Sequence, residues 1–169
     1  ILWVNLATDG LPALALGLEP AESGVMDRPP RDPQERLLGR NMAPHILWVG
    51  LLMAALCLAV GRHQTMVLTT LVFSQLCHVM AIRSERESLF RMGISTNPAL
   101  LGAVALTALA QLAVVYAPAL QRVFGTRALS ARELAVCLLL GSLVFGAVEL
   151  EKWVKRTYDK VPKRVGPLS

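Results

Sequence analysis

Five apolar stretches, residues 1–18, 43–60, 65–82, 98–117 and 133–150, each come close to the roughly 20 residues that cross a bilayer as a helix. Hydrocarbon offers no water to backbone N–H and C=O groups, so such stretches must bond their own backbone as helices. The expected fold is all-α: a polytopic transmembrane helical bundle of about five spans, the first a turn short. A hydrophobic fraction of 54%, a mean hydropathy of +0.49 and a charged fraction of 17% place the chain outside ordinary soluble domains.

The polar residues collect between the spans. A Pro-, Glu- and Arg-rich loop runs from Glu19 to Met42, a tight turn from Gly61 to Gln64, a charged loop from Arg83 to Asn97, and a fourth loop from Pro118 to Arg132. Residues 1–156 read as one membrane domain and 157–169 as a basic tail. Lys and Arg number four in the first loop, three in the third and six from Lys152 onward, against one in the second and three in the fourth. Thirteen against four places the first loop, the third loop and the carboxyl end in the cytoplasm. The net charge of +5 is a topology signal rather than a nucleic-acid footprint, because no aromatic residues interleave the basic ones. The expected partner is the lipid bilayer, not nucleic acid.

Ile1 already stands inside the first span, with no start methionine and no basic leader before it. The chain reads as a piece of a longer protein, whose preceding part delivers it to the outer face.

Within that first span stand Asn5, Thr8, Asp9 and the break Gly10-Leu11-Pro12. An Asp at the centre of a membrane helix costs about 2.5–3.5 kcal/mol and calls for compensation. Asn5, Thr8 and Asp9, three and four residues apart, share one helix face. Pro12 has no N–H for the carbonyl four residues before it, and Gly10 lets the chain unwind there. Two readings follow: oxygen ligands converging on a cation at an unwound break, or a proline kink whose polar side chains bond back into the bundle.

In the third span Thr70, Ser74 and His78 recur every four residues with Gln75 beside them, so this face points into a bundle, for interhelical hydrogen bonding or as part of an ion path. Gly141-Ser142, Gly146-Ala147, Ala54-Ala55 and Gly102-Ala103 read as seams where helices approach closely. His45 and His63 fall at span ends, Trp3, Trp48 and Trp153 suit anchoring, and Glu149 and Glu151 beside Lys152, Lys155 and Arg156 suggest an ion-pair cluster. Cys57, Cys77 and Cys137 lie in apolar runs as inert thiols. No phosphate-cradling loop, metal-binding Cys and His set or nucleophile constellation occurs, so no catalytic residue is expected, and hydrolysis is beyond this chain alone.

Trp3-Val-Asn-Leu-Ala-Thr-Asp-Gly-Leu-Pro-Ala13, then Leu16-Gly-Leu-Glu-Pro20 and Met26-Asp-Arg-Pro-Pro-Arg31, resembles the sixth transmembrane helix of P-type calcium-transporting ATPases and the loop that follows it. Gln64 to Phe90, ending in Arg83-Ser-Glu-Arg-Glu-Ser-Leu-Phe90, resembles their eighth helix and its exit in bacterial members. The resemblance covers residues 1–156 as helices six to ten. It implies the C-terminal membrane domain of a pump that couples ATP hydrolysis, through a phosphorylated aspartate, to export of Ca2+ across a bacterial cell membrane. It also implies that Asn5, Thr8 and Asp9 supply ion-binding oxygens. ATP and Mg2+ would act in missing cytoplasmic domains, and the remaining ligands would come from missing helices, so the fragment alone should bind calcium weakly. The alternative is a non-enzymatic truncated or regulatory membrane protein associating with a complete pump. Gln75 stands where the two-site sarcoplasmic-reticulum type has a glutamate, as in plasma-membrane calcium pumps. Losing that carboxylate implies a single calcium per cycle.

Overall fold

The computed structural model describes residues 6, 10–19, 42–61, 63–83, 93 and 96–159. Its helices are α1 (Leu11–Leu16), α2 (Met42–Ala59), α3 (Gln64–Ala81), α4 (Pro98–Tyr116), α5 (Pro118–Phe124) and α6 (Ala131–Asp159), and no strand occurs among the described residues. Four of them, α2, α3, α4 and α6, are long and apolar enough to cross a membrane, so the chain is an integral membrane protein with a helical bundle. Of the first predicted span, only Leu6 and residues 10–18 are described.

Local chemistry sets the helix ends. Gly61, at φ +83°, makes the tight reversal between α2 and α3, a conformation that strains any residue with a Cβ. Asn97 caps α4 by accepting a hydrogen bond from the Leu100 N–H at 2.9 Å, with Pro98 following where a missing N–H does no harm. Ser130 and Glu133 form a reciprocal capping box at the start of α6: Ser130 N–H donates to Glu133 at 2.8 Å and Glu133 N–H to Ser130 at 3.3 Å.

α3 is the hub. Its buried share is 44%, against 11% for α2, because α3 packs on α2, α4 and α6 while α2 leaves most of its surface uncovered. Val49 and Leu56 of α2, Ala81 of α3 and Val144 and Val148 of α6 make one apolar cluster, and Val72 and Leu76 of α3 make a second with Val104 and Ala108 of α4. Gly141 brings α6 onto α3: a Cβ there would lie 3.0 Å from Phe73 Cβ and 3.1 Å from Ser74 N.

Several expectations change. Of the predicted small-residue seams, Gly141 makes the close helix contact and Ala103 and Ala147 are half-buried, whereas Ala54, Ala55, Gly102, Ser142 and Gly146 lie on outward faces and Ser142 bonds back to the Leu139 carbonyl. The fourth loop contains α5, which Pro118 starts and Gly125 (φ +64°) ends. The last helix runs nine residues past 150, to Asp159, because ion pairs Lys152–Glu149 and Lys155–Glu151 at helical spacing support its polar end. At about 1.5 Å per residue it outreaches the hydrocarbon core. At the predicted break Gly10-Leu11-Pro12 the α-helix begins at Leu11, Gly10 has φ −67° and ψ −64°, and Leu6 and Gly10 lie in π-helical rather than α-helical geometry, while residues 7–9 lie outside the described residues.

Gly141→Ala is expected to lower the stability of the full-length protein by about 1–3 kcal/mol, whereas Gly146→Ala, with open space around it, is expected to be neutral or stabilising by up to about 1 kcal/mol. Thermal unfolding in detergent measures both, and equal midpoints for the two variants would contradict the seam.

Candidate functional site

Asn5, Thr8 and Asp9 lie outside the described residues, and so does Trp3. Gln75 is described. It belongs to the polar face of α3, where Thr70 and Ser74 are fully buried and Gln75 and His78 half-buried. Ser74 Oγ, Gln75 Oε1 and His78 Nδ1 have no hydrogen-bond partner among the described residues. Thr70 Oγ1 has the Cys137 thiol as its neighbour but also lacks a partner at hydrogen-bond distance. Leaving such a group unpaired costs about 1–3 kcal/mol. Thr70 and Ser74 stand in the contact with α6, beside Cys137 and Gly141, whereas Gln75 Oε1 is a neutral oxygen of the kind a hard cation takes and supplies no charge. Among the described residues no group of three His, Cys, Asp or Glu side chains is placed to hold a metal.

The neighbouring face of α3 is satisfied. Thr69 donates to the Thr65 carbonyl at 2.7 Å and accepts from Gln111 Nε2 of α4 at 3.3 Å. Gln111 and Thr107, both buried in α4, were not singled out by the sequence reading, although their four-residue spacing in an apolar span signals an inward polar stripe.

A second cluster closes one end of the bundle. His45 Nδ1 of α2 pairs with Glu151 Oε2 of α6 at 2.6 Å, Trp48 Nε1–H donates to the same oxygen at 3.0 Å, and Lys155 pairs with Glu151 Oε1 at 2.5 Å. The His78 ring of α3 stacks on His45 at 5.6 Å. Lys152 is buried and its ammonium donates to the Ala81 carbonyl at the end of α3 and to Glu149. The predicted ion-pair cluster is present, and it takes in His45 and Trp48, which sequence position alone marked as interfacial. His63 is exposed ahead of α3, Trp153 is exposed, Cys137 is buried, and Cys57 and Cys77 are half-buried.

The third arrangement joins segments that sequence reasoning left apart. Arg83, counted above as a loop charge, is buried, and its guanidinium holds the Glu19 carboxylate with Nη2 at 2.6 Å and Nε at 3.1 Å. Arg83 Nη2 also donates to Thr96 Oγ1 at 2.6 Å. Asn97 Nδ2 donates to Glu19 Oε2 at 2.8 Å and to the Ala15 carbonyl at 3.0 Å. Burial of the Glu19 carboxyl opposes its ionisation, but the hydrogen bonds from Arg83 and Asn97 and the Arg83 charge outweigh it, holding its pKa below the ordinary carboxylate value.

Residues 1–154 match the protein family described as "Cation transporting ATPase, C-terminus". The chain is 34% identical over 180 residues to "Calcium-transporting ATPase type 2C member 1" of Mus musculus, with all of this chain and 20% of that protein aligned. It is 33% identical over 178 residues to "Calcium-transporting ATPase 1" of Saccharomyces cerevisiae, covering 95% of this chain and 18% of that protein. With "Calcium-transporting ATPase type 2C member 2" of Rattus norvegicus it shares 36% identity over 164 residues, covering 90% and 17%. The chain thus spans about a fifth of the length of these relatives, all of which are eukaryotic.

Because the Glu19 pKa is lowered on folding, its contribution to stability is fully present above about pH 4.5 and is lost as the pH falls through the folded-state value. Thermal midpoints of the full-length protein followed down to about pH 3 should fall more steeply for the wild type than for Glu19→Gln. Parallel curves would show that the Glu19 carboxylate is not held as described.

Proposed function

The chain belongs to the cation-transporting ATPases, as their C-terminal region, and on that premise we propose that it is the carboxyl-terminal membrane domain of an ATP-driven pump that exports Ca2+ from the cytoplasm. The observation that carries this reading is the alignment of the whole chain with a calcium-transporting relative. Asn5, Thr8 and Asp9 serve as oxygen ligands to the transported ion, and Gln75 stands as a neutral supporting ligand on α3. Calcium takes six to eight oxygens together with carboxylate charge, so one carboxylate, Asp9, is half of a site. The remaining ligands come from parts of the pump that this chain does not span, and ATP and Mg2+ act there as well.

The excess of Lys and Arg in the first and third loops and beyond α6 supports a cytoplasmic carboxyl end. We also propose a bacterial cell membrane as its location, on the resemblance of Arg83–Phe90 noted in the sequence, whereas the relatives aligned above are eukaryotic.

Asp9→Asn in the full-length protein is expected to raise the calcium concentration for half-maximal ATPase activity by at least about tenfold, since the substitution keeps the shape and removes the charge. Unchanged calcium dependence would take Asp9 out of the site. With Gln75 in place of a carboxylate, the ratio of calcium transported to ATP hydrolysed is expected to be about one. A ratio near two, from parallel ion uptake and phosphate release, would contradict the single-ion site.

A further inference from the structure

Three segments far apart in sequence meet on one guanidinium. Glu19 follows α1, Arg83 follows α3, and Thr96 and Asn97 precede α4. Both Nε and Nη2 of Arg83 engage the Glu19 carboxylate, Nη2 reaches Thr96, and Nη1 donates to the Gly93 carbonyl at 3.4 Å. The Arg83 side chain is 1% exposed, so this fork is closed to solvent. Asn97 does two things at once: its Oδ1 caps α4, and its Nδ2 reaches back to the Ala15 carbonyl and the Glu19 carboxylate.

α1 is therefore held on its backbone at Ala15 and, three residues past its last residue, through the Glu19 side chain, whose own N–H stays bonded to the Leu16 carbonyl at 3.0 Å. A single tether fixes height and leaves rotation free. Two tethers a turn apart fix both. Apolar packing holds α1 along one narrow face only: it lies against α4 with Pro12 and Ala15 buried, while Leu11, Leu14 and Leu18 are exposed, Leu14 by 74%. Buried ion pairs add little net stability, because desolvation offsets their attraction, but they specify geometry where packing leaves it loose. The planar guanidinium fork is suited to this and an ammonium is not.

We propose that Glu19, Arg83 and Asn97 are positioning residues for cation binding. They fix the height and rotation of α1, the helix that follows Asn5, Thr8 and Asp9 in the chain, against the ends of α3 and α4. This inference rests on the pump reading above. A polar clasp at one end of the bundle thus sets the affinity of a site several residues up the chain, without any of its three members touching the ion.

The test measures ATPase activity of the full-length protein against free calcium, for the wild type, Glu19→Gln, Arg83→Lys, the double variant, and Arg127→Gln as a control. Arg127 pairs with Glu133 at the opposite end of the bundle, so its variant keeps the wild-type curve. Each clasp variant is expected to raise the half-saturating calcium concentration by about tenfold while holding the maximal rate within about twofold, and the double variant to add little to either single one. Half-saturation does not depend on how much protein has folded, so partial loss of folded protein leaves the readout intact. A stimulated wild type whose clasp variants keep its calcium dependence overturns the clasp alone, as does a fall in maximal rate with unchanged half-saturation. A wild type that calcium does not stimulate overturns the pump reading, and the clasp's role with it.

Discussion

Where Gly141 meets Phe73 and Ser74, α6 comes so close to α3 that a methyl group would press on backbone and side chain together. Hydrocarbon gives no hydrophobic push between helices, so close packing of small residues and internal hydrogen bonds must supply the association. The other features of the bundle depend on that contact. It seats Val144 and Val148 against Ala81 of α3 and Val49 and Leu56 of α2, brings Lys152 beneath the last carbonyls of α3, and carries Glu151 to His45 and Trp48. α3 is thereby covered on most sides, which is why a span with so many hydroxyl and amide groups can cross a membrane at all.

Two kinds of polar arrangement result. At the end of the bundle where α3 finishes, charges are paired and the main-chain ends are capped, through Arg83 with Glu19, His45 and Lys155 with Glu151, and Lys152 with the carboxyl end of α3. Within α3, by contrast, Ser74, Gln75 and His78 each keep a polar atom unpaired among the described residues. The paired end sets how the helix ends sit against one another, and the unpaired polar atoms of α3 keep the capacity for a further hydrogen bond.

Hydropathy made the helical fold legible, because bilayer thickness imposes a length that composition reveals directly. The limits of α2, α3 and α4 fall within a residue or two of expectation. The last helix was misjudged, since its polar end is held by ion pairs at helical spacing that a hydropathy window discards. Small residues were a poor guide to seams, because Gly and Ala are common in membrane helices whether or not a neighbour lies against them; only Gly141 among the described seam glycines meets another helix. The polar stripe on α3 followed from spacing alone. The Glu19–Arg83–Asn97 clasp did not, because nothing local connects residues 64 apart and Arg83 looks like any loop charge. Asn97-Pro98 carried a cap signature, but not the second use of the same amide.

The central claim is that this membrane domain serves ATP-driven calcium export. The most direct measurement is calcium accumulation by inside-out proteoliposomes containing the full-length protein, with and without ATP. The account predicts uptake that requires ATP and collapses on adding a calcium ionophore. Equal calcium content in the presence and absence of ATP, with the protein folded and correctly inserted, would contradict it.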